Sequence, residues 1–355
     1  MPPQWNKYGP TAARSHGKPG REIRPSSTTI DIHSHVAVPE AAALVKPHLD
    51  PATTPLAHFA DAPAKALSAK QEEDIRARIT GYDARLAEMD AMGLDMQLIM
   101  PPPNQCTYAV PLDIAVKAAR MVNDGLAQYV AKKPDRFVAL GTVPLADGAE
   151  AASELERCMR SLGMKGVEIL TNVAGHELSE PQYAPFWSKA EQLGALVVIH
   201  PNGFTEGKRL TRFYFSNVIG NPLETTIALH YLIFDGVLER HPNLKILAVH
   251  GGGYLPAYCG RIDHAWGARS DSHGNLPQPP TSYLKKVYFD TVVFTEHQLA
   301  HLVRVFGADH ILMGTDYPFD MAEYDPIGHL ASTEELDAAA VAAIAGGNAR
   351  QLLGI

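Results

Sequence analysis

Eight short apolar runs, separated by stretches with helical periodicity, constrain this chain more than any other feature. They begin at Ile30 (IDIHSH), Met96 (MQLIM), Phe137 (FVALGTV), Gly166 (GVEIL), Leu196 (LVVIH), Leu244 (LKILAVH), Val287 (VYFDTVV) and Ile311 (ILMGTD). Short, almost continuous Val/Ile/Leu strands are what a parallel sheet covered by helices requires, because both of its faces are buried. Eight such units close into a (β/α)8 TIM barrel, and 355 residues suffice for one. Helices are expected over 112–130, over about 150–162, and around Ile75, Ile79, Leu86 and Met89. The expected architecture is one barrel domain over 29–355, with an arm over 1–28 that is either flexible or packed on a partner subunit. The long Ala- and Pro-rich stretch after the first strand, to about Glu72, is read as a lid over the barrel mouth.

The polar residues gather at one end of these runs. His33 and His35 close the first strand, His200 the fifth, His250 the sixth and Asp316 the eighth. Residues two apart on a strand share a face, so His33 and His35 can address one ion. A barrel brings the C-terminal ends of its strands to a single mouth, where its chemistry sits. Imidazoles with a carboxylate suit a divalent ion such as Zn²⁺, and Mn²⁺ accepts the same donors. Taken singly, a histidine at a strand end is more often a hydrogen-bonded loop residue, and an aspartate there a helix cap. Five such groups at the ends of four strands form a set that chance rarely produces.

Composition removes other classes. A net charge of −8 without a Lys/Arg cluster argues against nucleic acid or an anionic membrane as partner. Cys106, Cys158 and Cys259 form no CxxC pair, which fits a reducing, cytoplasmic setting, and neither a signal-like segment nor an apolar run of spanning length is visible.

The stretches DIHSH, VVIHPNG, AVHGGGYLPAYCGR and MGTDYPFD resemble, in order and spacing, the amidohydrolase superfamily. The closer resemblance is to its metal-dependent non-oxidative decarboxylases of the 2-amino-3-carboxymuconate 6-semialdehyde decarboxylase type, over about 29–355. This resemblance implies that His33, His35, His200 and Asp316 hold one metal ion. It makes His250 the acid/base, with Asp316 sharing in proton transfer around a metal-polarised water or substrate oxygen. Arg261 would clamp a substrate carboxylate, often from a neighbouring subunit in that family, which implies a homodimer or homotetramer with Arg261 near an interface. A guanidinium fork suits a carboxylate. Two departures stand out. The bridging lysine of binuclear members is missing from the fourth strand, since Lys165 precedes it at the wrong end, and a mononuclear site follows. The second arginine of the muconate decarboxylase has no aligned counterpart, Arg76 and Arg78 being only nearby.

The implied reaction is loss of carbon dioxide from a hydroxybenzoate-like or muconate-like acid, with no organic cofactor. The rival on the same scaffold is a metal-dependent hydrolase or hydratase of a lactone, ester, amide or ring-cleavage product. A silent metal-binding barrel would be expected to have lost one of the five groups. Asn202 and Phe204 after the fifth strand, and Phe294 after the seventh, are expected to contact substrate, with Tyr317, Phe319 and Asp320 shaping the wall. His264, His297, His301, His310, His329 and Asp309 are expected to be structural.

Overall fold

The computed structural model describes Gln4–Trp5, Arg14–Ser15 and residues 20–355, with side chains from Glu22 onward. Most of the arm expected over 1–28 therefore lies outside the described residues. Its described pieces are an antiparallel pairing of Gln4–Trp5 with Arg14–Ser15 and a short helix, Gly20–Ile23.

The eight strands are β1 (Ile30–His35), β2 (Met96–Met100), β3 (Phe137–Ala139, continued by Gly141–Thr142), β4 (Gly166–Leu170), β5 (Leu196–His200), β6 (Lys245–Ala248), β7 (Tyr288–Asp290) and β8 (Ile311–Leu312). All neighbouring pairs are parallel and in sequence order, as two sheets that share the broken strand β3. At the other seam the backbone closes the ring. The Ile32 amide donates to the Met313 carbonyl at 2.8 Å, the His35 amide to Tyr317 at 2.8 Å, and Ser34 bridges Tyr317 in parallel. Ile30, Ile32, Leu98, Met100, Leu140, Leu196, Val198, Leu247, Val249 and Leu312 fill the barrel, and Leu352 and Leu353 of the C-terminal helix plug its lower end. Each fully buried Leu or Ile contributes roughly 1.5–3 kcal/mol.

The covering helices are α1 (Ala62–Thr80), α2 (Asp83–Met92), α3 (Leu112–Ala131), α4 (Gly148–Arg160), α5 (Ala184–Leu193), α6 (Gly220–Phe234), α7 (Gly260–Ala268) and α8 (Glu296–Phe306). Local chemistry sets their ends. Asp61 caps α1 by accepting from the Ala64 amide at 3.0 Å, and Asp147 caps α4 through the Ala149 and Glu150 amides, both at 2.9 Å. Gly93 and Gly194 end α2 and α5 in left-handed conformation.

Three boundaries differ from the sequence reading. The helix expected around Ile75–Met89 is two helices parted at Gly81-Tyr82, and the first begins inside the stretch read as a lid. Strands β6, β7 and β8 stop early, so His250 and Asp316 stand beyond β6 and β8, both with positive φ (55° and 61°). The β1–β2 register shifts between Asp31 and Ser34, so His33 and His35 join the interior side already used by Ile30 and Ile32.

Candidate active site

Five side chains meet above the barrel interior. The Nε2 atoms of His33 and His35 stand 3.1 Å apart, and Asp316 Oδ1 lies 3.3 Å from the first and 3.1 Å from the second. His200 Nε2 is 3.9 Å from that oxygen, and His250 Nε2 is 3.3 Å from Asp316 Oδ2. The donor atoms of His33, His200, His250 and Asp316 all fall within 4.8 Å of one another.

The outer partners decide which nitrogens are bare. His35 Nδ1 faces the Pro101 carbonyl at 2.9 Å and His200 Nδ1 the Pro201 carbonyl at 2.7 Å. A carbonyl only accepts, so both Nδ1 atoms carry the proton and both Nε2 atoms are lone pairs. His33 Nδ1 meets the Asp290 carboxylate at 2.7 Å, which assigns the same tautomer. Three bare nitrogens and a carboxylate oxygen thus converge, and His200 Nε2 is buried without a hydrogen-bond partner. Lone pairs so close repel unless a cation lies among them. The donor set fits a divalent ion.

Electrostatics agree. Burial pushes His35 down to about 3, and burial likewise lowers His33, so both stay neutral ligands. Burial alone would raise Asp316, but His33, His200, His250 and His35 around it hold its carboxyl well below the usual range. Burial would lower His250, yet its hydrogen bond and charge contact with Asp316 outweigh that and leave it raised. Of His33, His35 and His250, only His250 is shifted toward its protonated form.

Backbone geometry explains the motifs. Gly251, Gly252 and Gly253 all have positive φ (61°, 77° and 71°), and a Cβ on Gly251 would stand 2.3 Å from Val293 and one on Gly253 2.3 Å from the Pro222 carbonyl. Only glycines let the turn deliver His250. A Cβ on Gly314 would press His33 and Asp290 at 3.0 and 3.1 Å.

Sequence reasoning missed Asp290, the last residue of β7. Its Oδ2 holds His33 while Oδ1 accepts from the Gly251 amide at 2.8 Å, so one carboxylate sets a ligand and the turn that carries His250. A carboxylate in the middle of the seventh apolar run, VYFDTVV, was the available signal. Glu168 on β4 was also missed. It is wholly buried, its Oε2 is 3.7 Å from His35 Nδ1, and burial pushes it up to about 8.

A cavity of about 310 Å³ opens on His200 and Asp316. Its roof comes from the segment after β1 (Leu56, Ala57, Ala60 and, on α1, Lys65 and Ile75), and Asn202, Tyr214, Phe319 and Asp320 form the wall. Roof and wall are tied by the Leu56 amide to the Asn202 carbonyl (3.2 Å) and the Asp61 amide to the Thr211 carbonyl (2.8 Å). Of the expected substrate contacts, Asn202, Phe319 and Asp320 line this cavity. Phe204 instead packs beside Gly220, and Phe294 stands off the wall with φ 65°. Tyr317 is buried under the Arg85 guanidinium, 4.7 Å from its ring. Arg261, on α7, is exposed and outside the cavity of its own chain, as is His264.

No helix among the described residues is long and apolar enough to cross a membrane. The three cysteines are free.

The sequence profile of the amidohydrolase family matches residues 30–355. A 2-amino-3-carboxymuconate-6-semialdehyde decarboxylase from Dictyostelium discoideum is 33% identical over 331 residues, covering 93% of this chain and 92% of that protein. The 5-carboxyvanillate decarboxylase of Sphingomonas paucimobilis superposes with TM-score 0.81 at 26% identity, over 93% of this chain and all (100%) of the other. A dihydroxybenzoic acid decarboxylase from Polaromonas sp. JS666, solved with bound manganese and the inhibitor 2-nitroresorcinol, does so with TM-score 0.77 at 26% identity, over 92% of this chain and 97% of the other. The barrel, the histidine and aspartate cluster at its mouth and the match along nearly the whole length lead to one conclusion: this chain belongs to the amidohydrolase family.

Proposed function

We propose that the protein is a metal-dependent non-oxidative decarboxylase of a small aromatic, hydroxybenzoate-like acid, with a muconate-like acid as the related alternative. The observation that carries this is the convergence of three bare Nε2 atoms and the Asp316 carboxylate at the floor of the cavity, with a fourth histidine, His250, against Asp316 Oδ2 beside them. His33, His35, His200 and Asp316 would hold the ion. The nitrogen-rich set favours Zn²⁺, and Mn²⁺, held by a structural relative, is the competing occupant. A divalent ion there supplies Lewis-acid polarisation of a substrate oxygen.

In the reaction the bond to the carboxyl carbon breaks, carbon dioxide leaves, and the electron pair stays on a ring carbon that must gain a proton. His250 holds that proton at Nε2, against Asp316 Oδ2. Asp290 keeps His33 and the 251–253 turn in place, so ligand and acid keep their spacing.

The same reading includes a homodimer or homotetramer that brings Arg261 of one copy to the mouth of another. Support comes from exposed apolar side chains: Tyr254 and Tyr258 lie in the segment just before Arg261, and the Tyr254 hydroxyl reaches the carbonyl of Val218, itself exposed, at 3.4 Å. Free cysteines suit a cytoplasmic location.

The test incubates metal-replete protein with a panel of hydroxybenzoates, carboxyvanillate-like acids, muconate semialdehydes, lactones and aryl esters and follows mass by liquid chromatography and mass spectrometry. A product lighter by carbon dioxide is expected. Products of water addition or cleavage would replace this reading with hydrolase or hydratase chemistry.

A further inference from the structure

We propose that Asp320 and Tyr214 form a specificity subsite for a hydrogen-bond-donating substituent, a hydroxyl or amino group, on the acid that occupies the cavity. The inference deepens the acid-substrate reading of the same site and rests on it.

Asp320 and Tyr214 reach the cavity from different strand ends. Asp320 lies four residues past Asp316, in the segment after β8, and Tyr214 lies on the long loop between β5 and α6. Both line the wall of the space whose floor is His200 and Asp316. The Tyr214 hydroxyl donates to Asp320 Oδ1 at 3.4 Å, and the Gln71 side chain of α1 donates to the same carboxylate. Its own backbone amide donates to it as well; a carboxylate offers about four acceptor positions, so these three donors leave one open. With its O–H directed at Asp320, the Tyr214 oxygen can only accept from any further partner. This corner therefore presents acceptors to whatever fills the space.

The backbone supports a dedicated arrangement. Phe213 and Tyr214 are consecutive non-glycine residues with φ of 58° and 60°, a conformation that side-chain-bearing residues seldom adopt and that concentrates at functional sites. Phe213 is exposed, so the turn is not made to bury it. Its effect is to aim Tyr214 inward.

The charges along the wall sharpen the substrate class. Among the described residues lining the cavity, Lys65 is the lone lysine or arginine, against Glu72, Asp316 and Asp320. A second substrate carboxylate placed at the Asp320 corner would meet like charge with no guanidinium from its own chain to offset it. A neutral donor would complete the acceptors already there. A cavity of about 310 Å³ is at the small end for a ligand pocket, which suits one ring with small substituents. The favoured class is thus a monocarboxylic phenol or aniline rather than a dicarboxylate.

The test uses metal-replete full chain and a series of 2-hydroxybenzoates carrying, at each remaining ring position in turn, a hydroxyl, a methoxy or a carboxylate group. Affinity is read by calorimetry, and release of carbon dioxide is followed separately. The best dihydroxy acid is expected to bind about tenfold tighter than its methoxy counterpart. In Asp320→Asn that ratio should drop below about threefold while the dicarboxylate gains affinity, and Tyr214→Phe should give an intermediate ratio. Melting temperature and metal content check that each variant is folded and loaded. An unchanged ratio and rank order in both variants, or no measurable binding by any member of the series, overturns the subsite. Donor-selective binding without release of carbon dioxide would instead overturn the decarboxylase reading and leave the subsite standing.

Discussion

The floor and the roof of the cavity are built on opposite principles. The floor is buried, rigid and over-determined: each of His33, His35 and His200 has its outer nitrogen committed, to Asp290, to the Pro101 carbonyl and to the Pro201 carbonyl. The roof is a strap after β1 laid against the loop after β5, held by a few backbone bonds and by close approach at Gly203, where a Cβ would stand 2.2 Å from the Leu56 amide nitrogen. Its side chains are largely exposed or half-buried. The contrast separates chemistry from choice of substrate, since a fixed floor keeps one reaction while a roof on loops can be retailored.

Removing a floor ligand should have the largest effect. In His33→Ala or Asp316→Asn, the bound metal, measured by inductively coupled plasma mass spectrometry, is expected to fall to near none and turnover to background. Loss of turnover with full metal occupancy would show that the ion sits elsewhere. His250→Asn should keep the metal and lose turnover by roughly 10²–10⁴-fold, the usual worth of a positioned acid; full activity in that variant would remove His250 from the mechanism. One shell out, Asp290→Asn should weaken metal affinity by about 10–100-fold in a chelator competition, because His33 loses its orienting carboxylate. At the roof, Lys65→Met should raise KM about two- to fivefold with little change in kcat, as expected for an exposed charge that binds ground and transition state alike. A kcat loss as large as that of His250→Asn would erase the distinction between floor and roof.

The smallest expected effect is on stability. Glu168 titrates near 8 in the folded protein instead of its ordinary 4.5, because it is buried. Between those values the native state keeps a proton that the unfolded chain releases, so stability falls as pH rises from about 4.5 to about 8. Glu168→Gln should flatten that fall, read as a shallower decline of Tm with pH. An identical slope in the variant would place the pH dependence on other groups, with Asp31, pushed by burial up to about 7, the next candidate.

The amino-acid sequence by itself determined the barrel and the five groups at its mouth. Strand periodicity is local, and a strand end is a defined place in a (β/α)8 fold, so a histidine or aspartate there can be assigned to the mouth without coordinates. The glycines after His250 were visible as a motif, although their necessity comes from Val293 and the Pro222 carbonyl, which no local pattern reveals. Only the tertiary structure decided the rest. Asp290 meets His33 across 257 positions, and Tyr214 meets Asp320 across 106. The bare state of the three Nε2 atoms follows from partners that folding supplies. Phe204 and Phe294 sit in the right loops, yet loop backbone conformation, which sequence period does not encode, turns them off the wall. Residues held by the regular alternation of strands could be read from the sequence, whereas contacts made between loops far apart in the chain required the fold, because their geometry is set by packing rather than by local propensity.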